Sequence, residues 1–353
     1  MISTAEQELL AAIIANPDDD APRLVLADWL SQQGEPRGEL IVVACTLTHD
    51  DVPIGVRRQL LKRHEALLRE HGARWLNELG LKPSEGHFVR GMVEAVEAPA
   101  KTLLPRIDQL FACTPVRALR VIDVVEKQLR AIAFSTHLPR LRSLAFENLQ
   151  SKLTPLLETE GLRSLRALRI GQGRVVDGDL RGLLGASCQL RELRLDRNRI
   201  SKRGATTLAD SPNASTLRVL DLCMNELKDA GARALASSPN LTELTALNLN
   251  HNQLTFEGAE AIASTPTMTH LCELDLGFNQ LGDRGVTALA RSMFLRELES
   301  LHLDMTGLTA GGAQVLVASV GWPKLQGLFV AQNRLTPSAE ALLQSHFAGR
   351  VWF

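Results

Sequence analysis

Histidine, cysteine and carboxylate side chains can carry a proton, attack a carbon or hold a metal, but in this chain their spacing assembles no such centre. The stretch HEALLREH sets His64, Glu65 and His71 on one expected helix. Its two imidazoles lie seven residues apart, not at the i, i+4 spacing that points two histidines at one zinc ion, so they read as solvated helix residues. The DDD run at 18–20 offers the carboxylates that calcium favours, yet it stands before a helix and reads as a cap with favourable first-turn charge. Cys223 and Cys272 fall near expected strands, but the sequence fixes no histidine beside either. With Cys45, Cys113 and Cys188 they form an odd set of five without a C-x-x-C pair, which fits reduced structural thiols in a cytoplasm. GQGRVVDG, from 171, is a partial glycine pattern that opens no helix after a complete fingerprint, and reads as loop variation. There is no Walker loop, H-E-x-x-H or G-x-S-x-G motif. No catalytic residue, metal or cofactor is expected.

Composition points the same way. Of 353 residues, 45% are hydrophobic and 22% charged, enough to bury a sizeable core. Thirty-nine Lys and Arg balance 40 Asp and Glu, so no whole-chain charge advertises nucleic acid or an anionic membrane. The N-terminus carries acids and no base before Arg23, and no apolar run approaches the roughly 18 residues of a membrane span. A cytoplasmic, monomeric protein without signal peptide or anchor is the expectation.

The elements that would position any functional residue come from a repeat. LRELRLDRNRI (190), LRVLDLCMNEL (217), LTALNLNHNQL (244), LCELDLGFNQL (271), LESLHLDMTGL (298) and LQGLFVAQNRL (325) start 27 residues apart in every case. Looser copies begin at 165, 141 and 116. Leucines two apart, such as Leu193 with Leu195, send one face of a short strand into the core. After each strand GATTLA, GARALA, GAEAIA, GVTALA or GAQVLV gives a helical apolar face whose small residues allow close approach. Ser201, Asp229, Thr255, Asp283, Thr309 and Thr336 are expected N-caps. Asn198, Asn225, Asn252, Asn279 and Asn333 are expected to form a structural ladder that satisfies buried backbone groups at each turn. Thr306 breaks that ladder, which predicts an altered turn.

The pattern L-x-x-L-x-L-x-x-N-x-L resembles the leucine-rich repeat, in its ribonuclease-inhibitor-like form. The resemblance implies an α/β horseshoe solenoid with parallel concave strands and convex helices. Residues 1–80 hold no repeat and read as helices around STAEQELLAAIIAN, DDAPRLVLADWLSQQG, PRGELIVVACTLT and VRRQLLKRHEALLREHGARWLNELG. The stretch ELLAAIIANPDDDAPRLVLADWLSQQGEPRGELI resembles the bacterial repeat-companion domain, a small helical module ahead of leucine-rich repeats, and HFVRGMVEAVEA resembles its transition into them. The expected domains are thus a helical domain at 1–80, a solenoid at 81–336 and a C-terminal cap at 337–353. Residues 81–115 should form an irregular first turn with one strand and one helix.

Function must then be read from exposed positions. The fifth position of the pattern runs Arg120, Ala145, Arg169, Arg194, Asp221, Asn248, Asp275, His302 and Phe329, from basic to acidic to aromatic. The second runs Arg117, Arg142, Arg166, Arg191 and Arg218, a ladder of about 20 Å on strands about 4.8 Å apart, with Glu147, Glu192 and Asp196 placed to relieve its repulsion. The eighth presents Met224, His251, Phe278 and Met305 in consecutive repeats, either as a contiguous apolar patch or folded over the turns as packing. These rows predict a non-enzymatic module that recognises a protein partner through the concave face and its rims. Inhibitors and activators of small GTPases also carry such repeats, which leaves regulation of another enzyme as the alternative. Nucleic acid is disfavoured by the charge balance and the shortage of aromatics.

Overall fold

The computed structural model describes residues 4–186, 189–319 and 321–353, so the thiol expected at Cys188 lies outside the described residues. The chain divides into two compact units, Met1–Asp123 with Ser135–Leu144, and Val124–Phe134 with Ala145–Phe353. Among the described residues no helix is long and apolar enough to cross a membrane.

In the first unit four helices, α1 (Thr4–Ala15), α2 (Ala21–Gln32), α3 (Arg37–Leu47) and α4 (Ile54–Glu78), follow the four helical stretches of the sequence. Pro22, Pro36 and Pro53 sit at helix starts, where a missing N–H removes no intrahelical bond. Leu10, Ile13, Leu26, Ala27, Ile41, Cys45 and Met92 form one buried cluster, while Trp75 and Leu67 of α4 pack with Leu40 in a second. Residues 86–113 differ from expectation. Instead of one strand there is an antiparallel pair, β1 (Gly86–Val89) and β2 (Met92–Pro99), followed by α5 (Ala100–Leu103) and α6 (Ile107–Cys113). The cause is a two-residue turn with Arg90 and Gly91 both left-handed, φ 47° and 78°, a geometry whose twist matches a hairpin. Only glycine fits at 91, since a Cβ there would stand 2.5 Å from the Ile41 Cα. Strand β3 (Ala118–Val124) then pairs parallel to β2.

The second unit runs α7 (Glu126–Ala133), β4 (Ser143–Leu149), α8 (Thr154–Leu157), β5 (Ala167–Gly171), α9 (Asp177–Ala186), β6 (Glu192–Arg194), α10 (Lys202–Asp210), β7 (Val219–Asp221), α11 (Lys228–Ala236), β8 (Ala246–Asn248), α12 (Phe256–Ala263), β9 (Glu273–Asp275), α13 (Gly282–Ala290), β10 (Ser300–His302), α14 (Ala310–Ala318), β11 (Gly327–Phe329), α15 (Pro337–Phe347) and β12 (Val351–Trp352). From β5 to β12 each strand pairs parallel with the next, equivalent residues opposite one another, as in Leu193 with Leu220 and Leu274 with Leu301. The strand leucines and the Ala and Leu of the helices are buried. This is the expected leucine-rich-repeat solenoid of strands and helices, with a helical region at the N-terminal side of the sequence.

Each ladder Asn closes two backbone groups of the preceding repeat. Asn279 Nδ2 donates to Leu249 O at 3.0 Å, and its Oδ1 accepts from Leu254 N at 2.9 Å. Asn198, Asn225, Asn252 and Asn333 make the equivalent pairs. Contrary to expectation, the turn at Thr306 keeps its shape: Met305 has φ 50°, like its neighbours in the row, and Thr306 Oγ1 donates within its own repeat, to Leu303 O at 2.8 Å. A second ladder went unread. Ser238, Thr265, Ser292 and Ser319, also 27 apart, donate to Ala209, Ala236, Ala263 and Ala290 carbonyls, closing the ends of the preceding helices.

Two of the expected N-caps are corrected. Ser201, Thr255, Thr309 and Thr336 do cap their helices. Asp229 and Asp283 lie inside the first turns of α11 and α13, and their carboxylates reach forward to the N–H and hydroxyl of Thr255 and Thr309. Asp177 does the same for Ser201. Repeats therefore alternate, one giving the hydroxyl cap and the one before it the carboxylate that holds this cap. The helix glycines Gly204, Gly258 and Gly312 leave room for those carboxylates, because a Cβ would stand 2.5, 2.6 and 2.5 Å from their Oδ1 atoms. The sequence signal was present as L/I-[ST] against L/V-x-D at the helix starts.

Candidate interaction surface

The fifth-position residues stand side by side in register, Arg169, Arg194, Asp221, Asn248, Asp275, His302 and Phe329, and β12 adds Trp352 to the row. Backbone alternation forces this, since the leucines on either side point into the core. The row begins with paired charges. Arg169 Nε donates to Asp196 at 3.1 Å, a bond that raises its pKa, and Arg194 donates to Glu192 at 2.6 Å and lies 3.7 Å from Asp221. The acids expected to relieve the second-position ladder are thus taken by the fifth-position arginines. Among the described residues no ion pair reaches Arg166, Arg191 or Arg218. Their strands start by backbone bonds from Arg191 N to Arg166 O and from Arg218 N to Arg191 O, each 2.8 Å, so the three stand on adjacent strands. Arg142 belongs to the first unit.

Mid-row, Asp221, Asn248 and Asp275 each accept the N–H two residues on, from Cys223, Asn250 and Gly277, at 2.9 Å. Asn248 shows that an amide serves this turn as well as a carboxylate. Burial nevertheless leaves Asp221 charged at a disadvantage, with its pKa raised. Small Val219 and Ala246 stand between the longer Glu192 and Glu273 at the third position, and the resulting depression of about 240 Å³ is bordered by Asp221, Asp275, Glu273 and Arg194. At the far end His302, Phe329 and Trp352 stack face to face, with centroids 4.0 and 4.7 Å apart. Trp352 falls in the expected C-terminal cap, whose last residues are expected against the final strand, but its place in this row follows only from the parallel pairing of β12.

The eighth-position row has one backbone property in common. Asp123, Asn148, Gln172, Arg197, Met224, His251, Phe278, Met305 and Gln332 are all left-handed, with φ between 48° and 58°. That conformation costs a side chain with a Cβ about 1 kcal/mol. It also turns the side chain outward: Met224, Phe278 and Met305 are 39, 45 and 44% exposed, and His251 is exposed with its ring 6.3 Å from Phe278. The row thus presents a substantial exposed surface, while more than half of Met224, Phe278 and Met305 is covered. Open depressions of about 610 and 450 Å³ border it, one along Met224 and His251, the other along Met305.

The histidines, cysteines and aspartates whose types could carry chemistry stand apart from these rows or are inert within them. His71 lies against the Trp75 ring at 5.4 Å, and half-buried His64 has its pKa lowered by burial. Asp20 makes no side-chain cap bond; Asp19 accepts from Ala21 N, while Asp18 and Asp20 pair with Arg117 and Arg90. Burial and neighbouring carboxylates push the Cys223 thiol up to about 12, and burial pushes Cys45 to about 11, so both are thiols at neutral pH. Among the described residues no group of three His, Cys, Asp or Glu could hold a metal.

The strand-and-helix solenoid with its exposed rows defines a leucine-rich-repeat architecture. The sequence model described as Leucine Rich repeat matches residues 186–209, 213–236, 240–263 and 267–290. Among solved structures the chain is similar to an internalin, inlF, of Listeria monocytogenes, at 21% identity and TM-score 0.43, covering 69% of this chain and 67% of that one. It is also similar to a chain in the complex of Rad7 and Elc1 from yeast, at 17% identity and TM-score 0.52, covering 70% of this chain and 64% of that one. The chain thus spans about two thirds of the length of each. No curated protein matches the sequence.

Proposed function

We propose that this chain is a non-enzymatic protein-interaction module that holds its partner on the strand face and outer row of the second unit. Leucine-rich-repeat proteins are in general protein-interaction modules, and the yeast similarity is to a chain determined in a two-protein complex. The observation that carries the reading is the left-handed row. At Met224, His251, Phe278 and Met305 a bulky side chain is held where glycine or asparagine would suit the backbone better, and with 39–45% of the Met and Phe surface still exposed burial offsets the strain only in part. Side chains that do not serve the fold are available to serve an interface, where a buried Phe or Met contributes about 1.5 to 3 kcal/mol. Asp221, Asn248, Asp275, His302, Phe329 and the edge of Arg166, Arg191 and Arg218, which no ion pair reaches among the described residues, complete the surface, with Arg169 and Arg194 as its internally paired members. The N-terminal helical unit, as a repeat-companion domain, is a second docking element in this scheme. Nothing in the site favours a residue for GTPase activation.

The test is Phe278→Asn with Met305→Asn. Folding stability should stay within about 1 kcal/mol of the parent, on the stable side if the strain is relieved. Capture of host proteins on the immobilised chain, read by mass spectrometry, should lose its partner. A partner retained at unchanged affinity would sink the assignment of this row.

A further inference from the structure

The second-position edge of the strands changes sign along the second unit. Arg166, Arg191 and Arg218 are followed at the same position by Thr245, Cys272 and Glu299, and from Arg191 onward each N–H donates to the carbonyl of the residue before it in the row at 2.8 Å. The surroundings change with it: residues 161–220 carry twelve Lys and Arg against five Asp and Glu, and residues 221–304 five against twelve. We propose that the edge of Arg166, Arg191 and Arg218 receives a short acidic segment of a protein partner; the proposal rests on the interaction reading above and gives one edge of that surface a defined chemistry.

The absence of counter-ions points to an anion. Arginines on neighbouring strands about 4.8 Å apart repel one another unless an acid stands between them. The nearest acids are committed elsewhere, Glu192 to Arg194 at 2.6 Å and Asp196 to Arg169 at 3.1 Å. Arg166 Nη1 donates to Leu165 O at 3.2 Å, while the exposed Arg191 and Arg218 side chains make no hydrogen bond or ion pair among the described residues. Their guanidinium forks match carboxylate geometry two bonds at a time.

The following repeats limit the length of that anion. Arg166 and Arg218 are two strand spacings apart, about 10 Å, the reach of about three extended residues. Beyond Arg218 the edge becomes acidic: burial, and then Glu299, Glu297 and Glu273, push the half-buried Cys272 thiol up. A nucleic acid carries a phosphate at every residue and would run from the arginines onto these carboxylates. A polypeptide can confine its acids to the basic end of the edge and set lysines over the acidic end.

The experiment uses the full chain and the fluorescein-labelled peptide EEEGSGKKK, amidated at its end, followed by anisotropy at low and moderate salt. Its spacer covers the three strand spacings, about 14 Å, from Arg218 to Glu299. QQQGSGKKK serves as the probe without carboxylates. The acidic probe should bind about tenfold tighter, by a margin that shrinks as salt rises. The double variant Arg191→Gln with Arg218→Gln should lose that margin at an unchanged melting temperature, because neither side chain bonds within the fold. Arg174→Gln with Arg199→Gln, at exposed arginines of the loops that follow β5 and β6, should keep it. So should Phe278→Asn with Met305→Asn, so failure of the outer row and failure of this edge are read separately. Equal binding of the two probes, or a margin that survives in the Arg191 and Arg218 variant, overturns the proposal. So does an oligothymidylate of like length that binds more tightly than EEEGSGKKK and is lost from the same variant, which would make the edge a nucleic-acid site.

Discussion

The two units solve one problem, the burial of polar groups, by opposite means. In the second unit each solution is used once per repeat: Asn198, Asn225, Asn252, Asn279 and Asn333 make the same pair of backbone bonds, and Ser238, Thr265, Ser292 and Ser319 the same helix closure. In the first unit each solution occurs once. Arg23, fully buried, reaches Glu94 at 2.6 Å across 71 residues of chain, Arg90 ties Asp20 at 3.0 Å, and Trp75 Nε1 donates to Glu35 at 3.0 Å. A periodic solution can be lost at one repeat and kept at the others. A unique one has no substitute, so the first unit should be the more fragile to single changes.

The largest effect is therefore expected at Arg23→Ala. Glu94 would remain in the core, where burial already raises its pKa against the pull of Arg23 and Arg90. Leaving a buried charge with part of its pairing costs about 3–5 kcal/mol. Urea unfolding would show this as a fall in midpoint, and replacing the pair together, Arg23→Met with Glu94→Leu, should return much of it. A loss below about 1 kcal/mol for Arg23→Ala would erase the contrast between the units.

The repeat counterpart is Asn279→Ala, expected to cost about 2–3 kcal/mol because Leu254 N and Leu249 O lose a partner in a buried place. The same change at half-buried Asn333 should cost less, since water can reach its groups. The sharper variant is Thr306→Asn. It restores the two bonds to the preceding repeat that a threonine cannot span, in a turn whose backbone already has the common shape. An increase in stability would show that one repeat can be edited without the rest, while a loss comparable to Asn279→Ala would mean that the alternation of repeat types couples neighbours.

What could be read from residues alone follows the same division. Leu193 to Leu328 and the asparagines were legible because one register, found once, applies to every copy. The alternation of Asp229 and Asp283 with Thr255 and Thr309 was missed because its period is two repeats, and a single-repeat alignment assigns all four the same role. Arg23 with Glu94 and Arg117 with Asp18 were not legible, since no spacing rule links residues that distant in sequence, whereas the hairpin at Arg90–Gly91 is local and its two-residue Arg-Gly turn was overlooked. At the surface the rows were readable from strand alternation, but the direction of the eighth position was not. Whether Phe278 packs or projects depends on one backbone angle, and phenylalanine gives no sign that its φ is positive.

The smallest effect separates fold from function inside the repeat unit itself. Asn248 serves its turn with an amide, so Asp221→Asn should keep the bond from Cys223 N and remove a charge that burial disfavours. The folded pKa of Asp221 is raised, so its contribution favours folding when the carboxyl is protonated and is lost as pH rises through the folded value. At low pH the variant and parent should be equally stable. The variant should gain as pH increases, reaching a constant advantage near neutrality that is smaller than the cost of Asn279→Ala. Chemical unfolding at a series of pH values reads this directly. A variant less stable than the parent at neutral pH would mean that the approach of Arg194, at 3.7 Å, outweighs burial and that Asp221 belongs to the scaffold. A variant more stable at neutral pH would leave the largely buried carboxylate without a folding role, the outcome expected if Asp221 serves the proposed interface instead.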